Sequence, residues 1–384
     1  MATNLHVVMV PWLAFGHLIP FFQLSLQLAK AGIRVSFIST PANIRRLLPV
    51  PSNIAYLLEL VAFPLPSLDN EQLLPQGCEA TVDIPSENIQ YLKIAYDLLR
   101  HPVKQFVIDQ KPDWILVDTL PYWVIEIAQE HRIPLKNIRS SPESLTLTPE
   151  WFDFPSPLAY PRFLASGLHG GYYGQNASGI SDDQRVAKVI QASKAVAIRF
   201  GSECKLSKEQ VQEIAYGVEL SGLPFLWALR KPDWAVNELD TLPCGFRERT
   251  QGRGVVCFGW APQMEILGHP SIGGSLFHSG WGSVIETLQF GHTLVVLPFV
   301  IDQPLNARLL VDKGLAVEIE RSEDGSFGRD DIAKALRLAM VSGGGEKLRS
   351  RAREAAQVFG NRDLQDTYFN RFVEYLKENG AANQ

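Results

Sequence analysis

The stretch "SLFHSGWGSVIE", Ser275 to Glu286, passes through three kinds of local pattern. "SLF" is a short apolar run with strand character, "HSGWGS" is dense in small and polar residues, and the apolar positions that follow return at helical spacing. A strand that turns directly into a helix is half of a βαβ unit, and such units build parallel sheets through right-handed crossovers.

The same alternation surrounds it. "FLWALR", "VVCFGW", "TLVVLPF" and "LAVEIE" read as further strands, with helical patterns such as "GSVIETLQF" and "QPLNARLLVDKG" between them. Nearer the start, "LHVVMVPW" reads as a buried strand. It leads into "GHLIPFFQLSLQLAKAGI", where Phe21, Leu24 and Leu28 recur at helical spacing and Gly32 supplies a stop. "RVSFIST" closes that unit, and "DWILVD" followed by "PYWVIEIAQEHRI" repeats it. From Arg329 onward three amphipathic runs, ending in "DTYFNRFVEYLKEN", look purely helical. A chain of 384 residues is too long for one ordinary core, so the expectation is α/β, with two doubly wound domains. Between about 140 and 198 the pattern is poor, and "SSPESLTLTPEWFDFPSPLAYPRF" suits an irregular surface segment near a ligand.

Composition narrows the partner. A formal charge of -5 gives no basic excess, which argues against nucleic acid and anionic membranes and for a small ligand. Cys78, Cys204, Cys244 and Cys257 lack metal spacing and read as small buried thiols of a cytoplasmic protein. No apolar run reaches membrane-spanning length, and no Asp-x-Asp occurs, so no metal is expected to bridge a diphosphate.

In open α/β sheets ligands collect outside the carboxyl ends of the strands. Two polar residues stand there in the first half: His17, at the start of the first helix, and Asp118, closing "DWILVD". Parallel strands bring both ends to one edge, where a carboxylate would fix the imidazole tautomer; the same residues would equally serve as local caps. In the second half the turn His278, Ser279, Gly280, Trp281, Gly282, Ser283 offers backbone amides and a helix N-terminus to an anion. Glu286 lies one turn further on the same helical face, placed to accept a ribose diol. Trp260 could stack on a base with Gln263 at its edge, and Asp302 with Gln303 could hold sugar hydroxyls. A core Trp and capping Ser and Asp residues are the structural alternatives.

The stretch "WAPQMEILGHPSIGGSLFHSGWGSVIETLQFGHTLVVLPFVIDQ", Trp260 to Gln303, resembles end to end the signature box of plant UDP-dependent glycosyltransferases, the inverting family-1 enzymes of the GT-B fold. "PWLAFGHLIPFFQLS", "VSFISTPANIRRL" and "LELSGLPFLWALRKP" resemble other parts of the same family. The resemblance implies two Rossmann-like doubly wound domains facing a cleft: an acceptor domain at 1–198, a UDP-sugar domain at 199–364, and a last helix at 365–384 packing back on the first. It implies His17 as the base that deprotonates an acceptor hydroxyl and Asp118 as its partner. Trp260 then stacks on uracil, with Ala261 and Gln263 beside base and ribose, and Glu286 on ribose. Ser202, His278, Gly280, Gly282 and Ser283 fall to the diphosphate, and Trp281, Asp302 and Gln303 to the sugar.

Two departures accompany the resemblance. Ser279 and Gly282 stand where the family box "HCGWNS" usually has Cys and Asn, so the side-chain amide that usually reaches the phosphate is missing. The "HSGWGS" variant resembles the subgroup that glycosylates glycosides. The chain is also short, and it lacks matter near 136–142 and at 198–200, where "SKAVAIR" runs into "FGSE" without a first strand for the second domain. Either the stretches are missing from the sequence as numbered or they are deleted from the chain, and the first is the expectation, because losing that strand should cripple the sheet.

The resulting expectation is metal-independent, inverting transfer of glucose from UDP-glucose to a sugar hydroxyl of a flavonoid or terpenoid glycoside. UDP-rhamnose as donor and a catalytically weak sugar-nucleotide binder are the alternatives. The expected protein is a cytoplasmic monomer whose only partners are the UDP-sugar and the acceptor.

Overall fold

A computed structural model describes residues 5–68, 73–118, 120–128, 163, 177–179, 181, 185, 206–232, 234–259, 261–300 and 302–378. The chain divides into two compact units, Met1–Ser140 with His169–Glu203 and Asp363–Gln384, and Ser141–Leu168 with Cys204–Arg362.

The first unit is built on a four-stranded parallel sheet of order β3-β2-β1-β4, with β1 His6–Val10, β2 Arg34–Ser39, β3 Leu58–Ala62 and β4 Trp114–Val117. β1 is central and buried throughout, as a strand covered on both faces must be. Removing each of Val7, Val8 and Met9 from water contributes about 1.5–3 kcal/mol. α1 (Phe15–Lys30) crosses from β1 to β2 and buries Leu18, Phe22 and Leu28; Gly32, at φ 82°, ends the run beyond it. Pairing of Val10 with Val117 brings the ends of β1 and β4 level, so the chain after each strand emerges at the same edge.

Four elements here carry no expectation from the sequence: α2 (Pro41–Arg45), β3, α3 (Ile89–Asp97) and α4 (Arg100–Gln110). β3 is an edge strand with mixed exposure, and α4 carries Pro102 and buries only Val103, so neither has a clean hydrophobic period. α5 (Tyr122–Ala128) follows β4 as expected.

In the second unit α6 (Lys208–Ser221) begins with a reciprocal cap. The Gln210 N–H donates to Ser207 Oγ at 3.3 Å, and the Ser207 N–H donates to Gln210 Oε1 at 2.9 Å. α6 ends at Gly222, whose φ of 73° suits glycine alone at low cost. Five parallel strands follow: β5 Phe225–Leu229, β6 Gly254–Phe258, β7 Gly274–Phe277, β8 Thr293–Val296 and β9 Ala316–Glu318. Helices α7 (Phe246–Arg249), α8 (Gln263–Leu267), α9 (Trp281–Leu288) and α10 (Gln303–Asp312) connect them, and α11 (Arg329–Met340) and α12 (Glu346–Phe359) complete the unit. α6 and α11 cross closely at Gly217, where a Cβ would meet Ile332 Cβ at 2.6 Å.

These strands form two pieces, β5-β6 and β7-β8-β9, and among the described residues no strand joins them. The doubly wound order 3-2-1-4-5-6 accounts for this pattern: β6-β5 stand as 3-2, β7-β8-β9 as 4-5-6, and the place of strand 1 is the one without a described occupant. The residues before α6 that would lead into it, 186–205, lie outside the described residues.

α13 (Arg362–Glu378) belongs with the first unit. Its Val373 and Leu376 share the apolar cluster of Val7, Met9 and Val35, and Trp114 Nε1 donates to the Leu376 carbonyl at 2.9 Å.

Candidate active site

At the carboxyl edge of the first sheet, His17 stands in the first turn of α1 and Asp118 directly after β4. His17 Nδ1 and Asp118 Oδ2 are 2.8 Å apart, with side chains only 10% and 4% exposed. The same Oδ2 accepts the Trp12 backbone N–H at 2.9 Å, and the Asp118 N–H donates to the Val10 carbonyl at 3.1 Å. A carboxylate accepts and does not donate, so it holds the proton on Nδ1 and leaves Nε2 as the basic nitrogen. This is the geometry of an oriented general base.

The surroundings make that orientation rigid. Tyr96, fully buried, donates its hydroxyl to the Pro11 carbonyl at 2.7 Å and meets Trp12 and Trp123 edge to face at 5.3 and 5.6 Å. Burial, reinforced by Asp118 and Asp97, pushes the Tyr96 phenol well above its usual range, so it stays a neutral donor. Asp97 in turn holds the buried Arg185 through two bonds of 2.9 and 2.6 Å. None of Tyr96, Asp97 and Arg185 was singled out in the sequence, because a buried Tyr and a distant Asp and Arg share no spacing that marks them.

In the second unit the β7–α9 turn carries His278, Ser279 and Gly280. Gly280 is the N-cap residue of α9 and offers no side-chain cap to the first-turn N–H groups, which are therefore suited to an external acceptor. A Cβ on Gly280 would sit 2.8 Å from His278 Nε2, so glycine is what lets the imidazole lie against the turn. Burial lowers the His278 pKa and favours the neutral ring. Trp281, Gly282 and Ser283 form the first turn of α9, all partly exposed.

The structure brings Gln263 and Glu286 together, with Gln263 Nε2 donating to Glu286 Oε2 at 2.7 Å. Ala261, partly exposed, lies just before α8. Trp260 and Ser202 lie outside the described residues. After β8, Asp302 is the N-cap residue of α10, and Asn306 Nδ2 donates to its Oδ2 at 2.7 Å. Gln303 is fully buried, and its Oε1 accepts the N–H groups of Phe299 and Val300 at 2.9 and 3.1 Å. That side-chain oxygen organises its own loop, a use its spacing did not indicate. Arg321 fixes the start of the same loop by donating to the Pro298 carbonyl at 2.6 Å, with its guanidinium between the rings of Phe299 and Phe327.

Parallel α/β units with a buried His–Asp pair at one sheet edge and a strand, Gly-rich turn and helix at another fit the GT-B class of glycosyltransferases. Comparison with known proteins makes the assignment: residues 143–342 match the family profile described as UDP-glucoronosyl and UDP-glucosyl transferase, and the chain belongs to that family. UDP-glycosyltransferase 91A1 of Arabidopsis thaliana is 36% identical, covering 98% of this chain and 97% of its own. Soyasaponin III rhamnosyltransferase of Glycine max is 35% identical over 97% and 96%. The crystal structure of Glycyrrhiza uralensis UGT73P12, complexed with glycyrrhetinic acid 3-O-monoglucuronide, superposes with a TM-score of 0.70 at 22% identity, covering 98% of this chain and 96% of that one, and shares the fold. The Arabidopsis alignment extends over 461 positions, more than the 384 residues of this chain, so that relative carries internal stretches without a counterpart here. The protein is thus a glycosyltransferase of the plant UDP-sugar-dependent class. Among the described residues no helix is long and apolar enough to cross a membrane.

Proposed function

We propose that this glycosyltransferase moves glucose from UDP-glucose, with inversion and without a metal, to a sugar hydroxyl of a small plant glycoside such as a flavonoid or terpenoid glycoside. His17 Nε2 takes the acceptor hydroxyl proton, Asp118 stabilises the imidazolium that forms, and the hydroxyl oxygen attacks the anomeric carbon as UDP departs. The N–H groups of the β7–α9 turn, with His278 and Ser283, receive the diphosphate, Glu286 and Gln263 the ribose, and Asp302 the sugar hydroxyls. Trp260 is assigned to uracil and Ser202 to phosphate on the signature-box resemblance.

The observation that carries the reading is the His17–Asp118 contact at 2.8 Å, made within a polar cluster that also binds the Trp12 N–H. A glycoside acceptor follows from the "HSGWGS" resemblance, and the soybean relative named for rhamnosyl transfer to a saponin keeps UDP-rhamnose as the alternative donor.

A second reading, a sugar-nucleotide binder with weak turnover, draws on Gly282, which stands where the family box usually has Asn. One experiment separates the two. The protein is incubated with UDP-glucose or UDP-rhamnose and a panel of flavonoid and terpenoid glycosides, with and without EDTA, and UDP release and product mass are followed. Transfer that survives EDTA and is lost in His17→Ala is expected. UDP binding without transfer to any acceptor would establish the second reading, and EDTA-sensitive transfer would overturn the metal-free step.

A further inference from the structure

Ser279 is a buried residue that the substrate scheme above leaves without a task. It adopts φ 59°, one of two non-glycine residues in the left-handed region among those described, and it is 0% exposed. A side chain in that region is disfavoured unless its surroundings hold it there. Two contacts do so, and both reach the other ligand loop.

Ser279 Oγ donates to the Gln303 carbonyl at 2.8 Å. The His278 carbonyl also lies 2.6 Å from that oxygen, and the single hydroxyl proton serves one acceptor at a time. In return Asn306 Nδ2 donates to the Ser279 carbonyl at 3.0 Å and, with its other proton, to Asp302 Oδ2 at 2.7 Å. An amide has two donor protons, and here each has an acceptor. The turn assigned to diphosphate and the turn assigned to sugar hydroxyls are therefore joined crosswise by two hydrogen bonds, and the carboxylate of Asp302 hangs from the same brace.

We propose that Ser279 and Asn306 are positioning residues that fix Asp302 relative to the β7–α9 turn, and so determine how the donor's sugar, as opposed to its nucleotide, is held. The proposal rests on the donor-site reading above and adds to it. UDP alone engages only the turn, α9 and the ribose ligands, so it gains nothing from the brace. A UDP-sugar must span from the turn to Asp302, and its affinity depends on their separation. Serine is suited to this because a hydroxyl is a strong donor, whereas the thiol usual at this position in the family is a weak one.

The test measures UDP, UDP-glucose and UDP-rhamnose affinities by titration calorimetry for wild type, Ser279→Gly and Asn306→Ala, with thermal melts to establish folding. Glycine tolerates the left-handed backbone and removes the hydroxymethyl side chain with its donor. Asn306→Ala leaves the turn's sequence intact and keeps the proposal testable should Ser279→Gly not fold. Both variants are expected to hold UDP within about twofold of wild type, while the better UDP-sugar weakens roughly five- to tenfold, the effect of one or two hydrogen bonds. Its KM should rise by the same factor while kcat changes less. UDP and UDP-sugar weakening in parallel, or neither changing, overturns the brace while leaving the donor site standing. A wild type that binds neither UDP nor either UDP-sugar removes the donor-site reading, and the brace with it.

Discussion

Asp118→Asn keeps the shape of the buried pair and removes its charge. In the native protein Oδ2 accepts two N–H groups, Trp12 N at 2.9 Å and His17 Nδ1 at 2.8 Å, on a side chain only 4% exposed. A charge-assisted bond of this kind contributes about 1.5–3 kcal/mol, which alone is roughly 10- to 150-fold in rate when it strengthens in the transition state. An Asn with its amide oxygen in the place of Oδ2 still accepts both N–H groups and keeps the proton on Nδ1, so the loss is that of the charge. The expected fall in kcat/KM is therefore roughly 10- to 150-fold, read by UDP release with saturating donor. UDP affinity, measured in parallel, should stay within about twofold, because the assigned UDP ligands lie in the other unit. Activity within about fivefold of wild type would refute the assignment of Asp118 as the partner of the base.

The other expectations concern stability and the donor turn. Arg185→Leu removes both guanidinium bonds from the largely buried Asp97, leaving it Lys93 as a nearby cation, and should cost roughly 3 kcal/mol, seen as a lower urea midpoint, while Arg185→Leu with Asp97→Leu should recover much of that loss. His6, His278 and His292 are all held below the ordinary imidazole value of 6.5, with burial the largest cause for each. The unfolded chain binds their protons near that value while the folded chain does not, so stability should fall as pH drops below about 6.5; a midpoint flat from pH 7.5 to 5 would contradict this. Gly282→Asn restores the side-chain amide usual in the family box and replaces a poor helix former in the first turn of α9. UDP should bind roughly three- to tenfold tighter by calorimetry, the worth of one net hydrogen bond.

The elements that came through clearly in the sequence are those whose burial is periodic or continuous. β1 and β8 are apolar runs because both faces are covered, and α1 and α11 show one apolar stripe because one face is covered. The His17 and Asp118 positions were legible for a related reason: strand ends are set by local pattern, and parallel pairing carries them to one edge. The segment holding β3, α3 and α4 was not legible, since its residues bury against partners remote in the chain and its own spacing is irregular.

What the sequence determined alone was therefore the alternation of strand and helix, the parallel class, and the residue types at each strand end, all properties of local order. Tertiary structure decided which polar groups would be occupied by their neighbours. Gln303 and Asp302 are adjacent in sequence, yet the oxygen of one is bonded to its own loop while the other is held by Asn306. Ser279 looked like a substituted cysteine and is a cross-link between two turns. Hydrogen bonds between loops depend on the separation and direction of atoms set by the packing of the whole unit, and no spacing along the chain encodes those directions.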